Sequence, residues 1–589
     1  MGIFTDILQQ YWGYASFRPL QEDIVRSVYE GHDTLALMPT GGGKSLCFQV
    51  PAMAMDGLCL VITPLVALMK DQVENLRQRS IKAYAVYSGM TNEQIQTVLN
   101  NCQFGNYKFL YVSPERLESE SFRKRLLWLP VCLLAVDEAH CISQWGYDFR
   151  PPYLRIAEVR KDFPDVPVLA LTATATPEVV RDIQDRLSLP ALPDGSKREW
   201  NVFQKSFSRG NLSYIVRQTG NKSAQLLHIL RTVPGSAIVY VRNRKHTGEI
   251  AGWLLQEGIS STSYHAGLSA YDKDKAQQQW KNYSPSSGQG IRVMVATNAF
   301  GMGIDKPDVR LVIHWDLPDT LEAYFQEAGR AGRDEKEAYA VLLYNDTDKT
   351  KAKKRVADTY PPKEFVKRIY EALGNFYEIG IGSGMGHTFP FPLEKFAQVC
   401  HFPLLPAFSA VQLLCQAGYL AYQEETETSP RVQFLCTRED LYHREFTAEQ
   451  DRVVCYLLRH YTGIFTDAVY IRDKEMANVL EMKPKRLSEV LIGFAREGLL
   501  RYIPRRKTPY VTFVSERIPL DRMRITDAVY EDRKALYVKR LHAMVEYAEQ
   551  SRFCRSQLLL SYFGETDSEP CGKCDVCRKN RKQEDKPVK

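Results

Sequence analysis

Met38-Pro-Thr-Gly-Gly-Gly-Lys-Ser45 is the stretch on which the fold turns. It is a glycine-rich turn between a strand-like run, residues 34–37, and a helical stretch that starts near Lys44. Glycines let successive backbone N–H groups curl around phosphate oxygens, so Thr40, Gly41, Gly42 and Gly43 form a candidate nucleotide cradle. Lys44 supplies charge to β- and γ-phosphates, and Ser45 offers a hydroxyl to Mg²⁺. Met38 stands where the general P-loop pattern has its first glycine, so this motif alone also reads as a bare glycine turn. Val136-Asp-Glu-Ala-His140 decides between the two readings. It ends an apolar run about 90 residues further on, where a P-loop ATPase needs acidic residues. Asp137 suits the metal shell and Glu138 suits orienting an attacking water.

Around these motifs the first 350 residues alternate short β-rich runs with helical stretches. Examples are Cys59-Leu-Val-Ile-Thr63, Phe109-Leu-Tyr-Val-Ser113, Val168-Leu-Ala-Leu-Thr172 and Ser236-Ala-Ile-Val-Tyr-Val241. That alternation predicts parallel sheets covered by helices. Two sheets are expected, because one core rarely exceeds about 250–300 residues. The polar stretch 194–211 is the expected joint. The whole chain has 589 residues, 44% apolar and 25% charged, which excludes wholesale disorder and leads us to expect about three to five domains. No run approaches the roughly 20 apolar residues of a membrane span, and the first 21 residues lack the apolar region of a secretory signal. A cytoplasmic protein is expected, nucleoid-associated if bacterial. The net charge of +7 is mild, and the basic stretch 578–589, expected to be disordered, carries much of it. Local patches must therefore carry any nucleic-acid argument.

From about residue 351 helical periodicity dominates. Residues 393–422 align without gaps on 473–502: Ala397 with Ala477, Val399 with Val479, Gly418 with Gly498, Leu420 with Leu500, Tyr422 with Tyr502. Each copy reads helix, turn, longer helix, glycine, strand and second strand, the order of a winged helix. The expected modules are winged helices over 351–440 and 441–520, each closing its own strand hairpin. The first expected tip carries Glu424, Glu425 and Glu427, and the second carries Arg505, Arg506 and Lys507. A phosphate backbone repels the former and attracts the latter, so the basic tip is the candidate contact with duplex DNA. A plain solvated turn is the alternative.

The remaining chemistry lies in three clusters. Tyr324-Phe-Gln-Glu-Ala-Gly-Arg-Ala-Gly-Arg-Asp334 spaces Arg330 and Arg333 close to one helical turn apart, suited to meeting γ-phosphate charge across a cleft. After His140 come Trp145, Tyr147 and Phe149, which offer flat faces to bases, and Arg150, which offers charge. Cys554, Cys571, Cys574 and Cys577 have the paired spacing of a closed tetrahedral Zn²⁺ site within an expected helical module, 521–577. The other nine cysteines read as reduced, mostly buried thiols.

Taken together, residues 1 to about 345 resemble the helicase core of superfamily 2, and specifically of the RecQ DNA helicases. Thr63-Pro-Leu-Val-Ala-Leu68, Val112-Ser-Pro-Glu-Arg116, Leu171-Thr-Ala-Thr-Ala175, Tyr264-His-Ala-Gly-Leu268 and Ala296-Thr-Asn-Ala-Phe-Gly-Met-Gly-Ile-Asp305 match further motifs of that family. The loop holding Trp145, Phe149 and Arg150, and the cysteine module, resemble RecQ elements as well. The resemblance implies two RecA-like lobes, 1–205 and 206–350, with Gln21 reading adenine. It implies ATP, Mg²⁺ and Zn²⁺, with Lys44, Asp137, Glu138, Arg330 and Arg333 at the reaction. It also implies 3′→5′ unwinding of forked duplex DNA by movement along single-stranded DNA, in recombination and repair. Single-strand-binding and recombination proteins are candidate partners. A superfamily 2 translocase or RNA helicase is the alternative enzyme, and a scaffold with a dead ATPase is the alternative class. One departure stands out: about 200 residues separate the core from the zinc module, which familiar relatives place directly after the core.

Overall fold

Strands form where the aliphatic and β-branched runs lie, and in the N-terminal lobe β1 (Thr34–Leu37), β2 (Leu58–Ile62), β4 (Phe109–Val112) and β6 (Val168–Thr172) are buried at every position. A strand buried on both faces must be covered by helices on both sides. With β3 (Ala83–Val86), β5 (Val131–Val136) and β7 (Asn201–Gln204) they make a seven-stranded sheet in the order β3-β4-β2-β5-β6-β1-β7. All its pairings are parallel. The second sheet is also parallel, in the order β10-β11-β9-β12-β13-β8. Its strands are β8 (Leu212–Gln218), β9 (Ser236–Tyr240), β10 (Ser261–Tyr264), β11 (Val293–Ala296), β12 (Val309–His314) and β13 (Ala338–Tyr344). These are the two RecA-like lobes. In open parallel sheets, ligands gather beyond the carboxyl ends of the strands. Because β5, β6 and β1 are neighbours, the chain leaving each of them delivers Asp137, Thr172 and the glycine turn to one place.

The computed structural model describes residues 2–584, except 40, 88–89, 91, 144–145, 147–148, 190–198, 286, 302–305, 424–429, 462–463, 466–468 and 504–508. The chain divides into two units: Met1–Val356 with Lys534–Lys589, and Ala357–Arg533. The first unit joins both lobes to the zinc module, which resolves the departure noted above. Helices Asp346–Thr359 and Glu531–Glu549 meet there through Lys349 Nζ, which donates to both carboxylate oxygens of Glu549 at 3.0 Å. Ala352, Leu541, Met544 and Val545 share one buried core. The helix that precedes the cysteines therefore packs on the helix that leaves the second lobe, and the second unit is inserted between the two. The helix Asp575–Glu584 likewise replaces most of the tail expected to be disordered.

The second unit bears out the repeat and corrects its wings. Helices Leu393–Val399 and Leu404–Gln416 recur 80 residues later as Asp473–Val479 and Pro484–Arg496. The turns match as well: His401 and Glu481 are both left-handed at φ 55° and 53°, and Gly418 and Gly498 at 80° and 71°. Among the described residues the strands do not form two hairpins. β15 (Leu420–Gln423) pairs with β19 (Tyr510–Phe513), which also pairs with β14 (Thr388–Pro390). β16 (Arg431–Phe434) pairs instead with β18 (Leu500–Ile503) and with β17 (Val469–Tyr470). The second winged helix is thus inserted into the wing of the first, and a division at 440 cuts across it. Glu424, Glu425, Glu427, Arg505, Arg506 and Lys507, on which the expected tips rest, lie outside the described residues.

No single described helix is long and apolar enough to cross a membrane. The bent pair Leu393–Val399 and Leu404–Gln416 qualifies by length and composition alone. Its Phe396, Ala407, Val411 and Leu414 are core residues of the first winged helix.

The nesting predicts that the inner domain can be excised. Gln423 and Tyr510 are paired neighbours, so replacing residues 424–509 by an Asn-Gly turn should leave the outer winged helix folded. Limited proteolysis should find its strands as resistant as in the full chain. Rapid cleavage within residues 388–423 of the shortened protein would show that the strand partners are misassigned.

Candidate active site and zinc centre

The glycine turn is held by its own neighbours before any ligand arrives. Gly41 and Gly43 are left-handed, at φ 81° and 82°. A side chain on Gly43 would begin 2.2 Å from Nε2 of Gln21, so glycine is required there. Gln21 is only 1% exposed, and its amide donates to the carbonyls of Gly42 (3.2 Å) and Gly43 (3.1 Å). Its Oε1 accepts from the backbone N–H of Arg18 at 2.9 Å, and the Arg18 guanidinium donates to Gly41 O at 2.7 Å. The expected adenine reader thus also braces the phosphate loop. Arg18 was not singled out from sequence, although it lies three residues before Gln21. Thr40 lies outside the described residues. Lys44 and Ser45 open the helix Lys44–Ala54.

Asp137 and Glu138 follow β5 directly. Glu138 is left-handed at φ 48°, a conformation that costs a non-glycine residue of order 1 kcal/mol or more and that clusters at functional sites. This turn lets its N–H donate to Asp137 Oδ1 at 3.0 Å. Thr63 hydroxyl donates to Asp137 Oδ2 at 3.3 Å, a contact the sequence shows only as a threonine ending an apolar run. Burial, and then the neighbouring charge of Glu138, push the Asp137 carboxyl up to about 6. A carboxylate so disfavoured is suited to a cation. Glu138 faces Lys44 Nζ at 3.8 Å on one side and His140 Nδ1 at 3.4 Å on the other. His140 Nδ1 also lies 2.9 Å from Thr172 Oγ1, which links the acidic motif to the end of β6.

One cavity of about 580 Å³ gathers these groups and crosses to the second lobe. Gln21, Gly41, Gly43, Lys44, Ser45, Asp137 and Glu138 line one wall, and Gln326, Arg330 and Arg333 line the other. Arg330 is 4% exposed. The side chain of Arg333 reaches the glycine turn, its Cγ lying 3.4 Å from where a Cβ on Gly41 would be. Two hydroxyls, Ser45 and Thr63, and the two carboxylates give a hard oxygen set that fits Mg²⁺ beside phosphates.

The loop after His140 is only partly described. Trp145 and Tyr147 lie outside the described residues. Phe149 and Arg150 are half-buried, and Arg150 N–H donates to Cys141 O at 3.0 Å. Arg540, on the zinc-module helix, donates to Gly146 O at 3.1 Å and ties this loop down.

Cys554, Cys571, Cys574 and Cys577 bring their sulfurs within 4.8 Å of one another. Backbone N–H groups donate to three of them: Cys571 to Cys554 Sγ (3.2 Å), Cys574 to Cys571 Sγ (3.3 Å), Cys577 to Cys574 Sγ (3.4 Å). Such donors stabilise thiolates, and four converging thiolates fit tetrahedral Zn²⁺. Arg555, 3% exposed, forks onto Asp575 at 3.2 and 3.0 Å and locks the two ligand-bearing segments together.

Four family models match the chain: the DEAD/DEAH box helicase over 18–183, the helicase conserved C-terminal domain over 221–335, RecQ zinc-binding over 518–578, and the RecQ helicase winged-helix domain of Bacteroidota over 432–504. The last coincides with the inserted inner domain. The ATP-dependent DNA helicase RecQ of Haemophilus influenzae is 41% identical over 375 residues, 63% of this chain and 58% of that protein. The probable ATP-dependent DNA helicase RecS of Bacillus subtilis is 42% identical over 341 residues, 57% of this chain and 66% of that protein. The RecQ of Bacillus subtilis is 41% identical over 345 residues, covering 58% and 56%. This chain thus spans less than two thirds of the length of each of these relatives. Among solved structures, Mss116p bound to single-stranded RNA and AMP-PNP aligns with a TM-score of 0.48 at 16% identity, over 70% of this chain and 89% of that one.

The zinc centre yields a prediction. Natively purified protein should contain one zinc per chain, and Cys574→Ser should lose it. Because such sites supply folding free energy directly, the segment 550–584 should become protease-sensitive in that variant. Metal analysis that finds no zinc in the wild-type protein would overturn the assignment.

Proposed function

We propose that this chain, which belongs to the RecQ family of superfamily 2 helicases, is an ATP-dependent DNA helicase that unwinds duplex DNA by moving 3′→5′ along one strand. The observation that carries the reading is the single cavity that has Lys44, Asp137 and Glu138 on one wall and Arg330 and Arg333 on the other. A site divided between two lobes is completed only when the lobes close, which is how hydrolysis becomes coupled to movement.

The residues divide the work by charge. Arg18 and Gln21 hold the carbonyls of Gly41, Gly42 and Gly43, so that phosphate oxygens would meet the N–H side of the glycine turn. Lys44 pairs with Glu138 at 3.8 Å, so an arriving phosphate competes for the ammonium and releases the carboxylate toward the attacking water. Ser45 and Asp137 would hold Mg²⁺, which would supply neutralising charge to the phosphates. Arg330 and Arg333 meet the charge that develops on the transferred phosphoryl group. Trp145, Phe149 and Arg150 are proposed to contact single-stranded DNA beside this site, with stacking worth about 1–3 kcal/mol per base. Arg505, Arg506 and Lys507 remain candidate duplex contacts by their charge. A role in recombination and repair, and single-strand-binding or recombination proteins as partners, fit this reading.

Two variants separate binding from chemistry. Lys44→Ala should abolish ATP hydrolysis stimulated by single-stranded DNA. Glu138→Gln should still bind a fluorescent ATP analogue while turnover falls about 10²–10⁴-fold, the usual worth of a positioned base. Duplexes with a 3′ tail should be unwound and those with a 5′ tail should not. Wild-type turnover in the Lys44→Ala protein would refute the site; unwinding from 5′ tails alone would refute the polarity.

A further inference from the structure

Between the lobes the chain passes through a short linker, residues 205–211, which makes two sets of contacts. On one side it grips the loop that presents the cleft arginines. The Arg209 guanidinium donates to Gly329 O (3.3 Å), Ala331 O (3.1 Å) and Gly332 O (2.6 Å). Asn211 accepts from Arg209 Nε at 3.3 Å, and its amide donates to Gly332 O (2.7 Å) and Lys336 O (2.9 Å). The carbonyls gripped are those of the residues flanking Arg330 and just before Arg333. Gly332 is left-handed at φ 62°, and a side chain there would begin 2.6 Å from the Asn211 amide, so the loop is shaped to this grip. A guanidinium that satisfies three carbonyls at once leaves them little freedom, and the two cleft arginines move with them.

On the other side the same linker is held by the zinc module. Glu565 accepts from the Phe207 N–H at 2.7 Å and from the Ser206 hydroxyl at 2.8 Å. Lys573, between ligands Cys571 and Cys574, donates to Gly210 O at 2.5 Å. The Phe207 ring, 1% exposed, packs against Phe563 of the zinc module (5.3 Å between centroids) and Phe325 of the second lobe (5.9 Å). Arg209 and Lys573 line a neighbouring cavity that shares Gly41 and Arg333 with the nucleotide cavity, and Arg209, Glu565 and Lys573 do not line the nucleotide cavity itself.

We propose that Arg209 is a positioning residue for Arg330 and Arg333, and that the zinc module sets Arg209 through Glu565 and Lys573. The zinc module thereby controls turnover without touching the nucleotide. The inference rests on the ATPase reading above. Its physical basis is the steep dependence of such chemistry on placement, where an error of about 1 Å in a charged group costs on the order of 10²-fold.

Steady-state ATPase with saturating single-stranded DNA tests this in the full chain. Arg209→Ala should lower kcat about 10–100-fold while the KM for ATP stays within about threefold. Arg209→Lys, which keeps the charge but can reach fewer carbonyls, should recover part of the loss. The double variant Glu565→Ala/Lys573→Ala should show the same split with its zinc content at the wild-type level, and it should add little when combined with Arg209→Ala, as groups acting in series do. Wild-type kcat in Arg209→Ala, or in Arg209→Lys should the alanine variant not fold, overturns the proposal. So does full additivity between the linker and zinc-module variants. A wild-type protein that does not hydrolyse ATP overturns the ATPase reading itself, and this inference with it.

Discussion

A module can be interrupted only where its two cut ends lie side by side, and this chain meets that constraint twice. At the outer cut, Lys349 and Glu549 fasten the helix that leaves the core to the helix that returns. The interrupting unit closes its own ends in the same way: Tyr530 hydroxyl donates to Pro361 O at 2.8 Å, and Lys363 pairs with Asp527 at 3.3 Å and Glu531 at 3.2 Å. At the inner cut, Gln423 faces Tyr510 and Arg431 faces Ile503. Neighbouring ends make an insertion cheap in conformational entropy, because the inserted domain presents itself to its host as a short loop. The distance in sequence between the core and the cysteines is therefore no distance in the fold.

The same constraint explains what could be read from the sequence and what could not. The glycine turn, the acidic motif and the cysteine cluster are local strings whose chemistry is set by spacing; the structure brings the first two to one cavity and gathers the four cysteines in a separate cluster. The 80-residue repeat was legible because a helix–turn–helix fixes which positions are buried: Phe396 and Met476, Val411 and Leu491, Leu414 and Phe494 are core residues in both copies. The strand partners were not legible. β16 reads Arg-Val-Gln-Phe and β19 reads Tyr-Val-Thr-Phe, each with its valine and phenylalanine buried. Alternation tells which face of a strand is buried, not which neighbour it pairs with. Nearest-in-sequence pairing was the natural expectation, and either third strand satisfies the pattern. Arg209 and Glu565 escaped for a related reason: single polar residues in irregular segments carry no signal until their partners, more than a hundred residues away, are in place.

In the cleft, burial does what no local motif can. Asp137 and Glu138 are adjacent carboxyls in a nearly closed site, with Lys44 the close cation on their own wall. Arg330 and Arg333 add positive charge from the opposite wall, and Arg333 comes close enough to touch the glycine turn. Removing any of these cations leaves buried negative charge less compensated, a cost that grows as water is excluded. The site is therefore poised to take up a polyanion together with a divalent cation, and either alone would leave it unbalanced.

The zinc centre gains meaning from its position beside the inter-lobe linker. A structural zinc site contributes folding free energy wherever it sits, so stability alone does not require it to hold the inter-lobe linker. Here the ligand-bearing turn itself, through Lys573, and the turn after the helix Arg555–Tyr562, through Glu565, hold that linker. The long helix that precedes the first cysteine ties down the loop beside the acidic motif through Arg540. One rigid module thus meets the phosphate site from two directions: at the first lobe behind Asp137 and Glu138, and at the second behind Arg330 and Arg333. A chain that merely stored its metal at one end would need neither contact. That both exist, one behind each wall of the same cavity, makes the zinc module part of the frame that sets how the two lobes face each other across it.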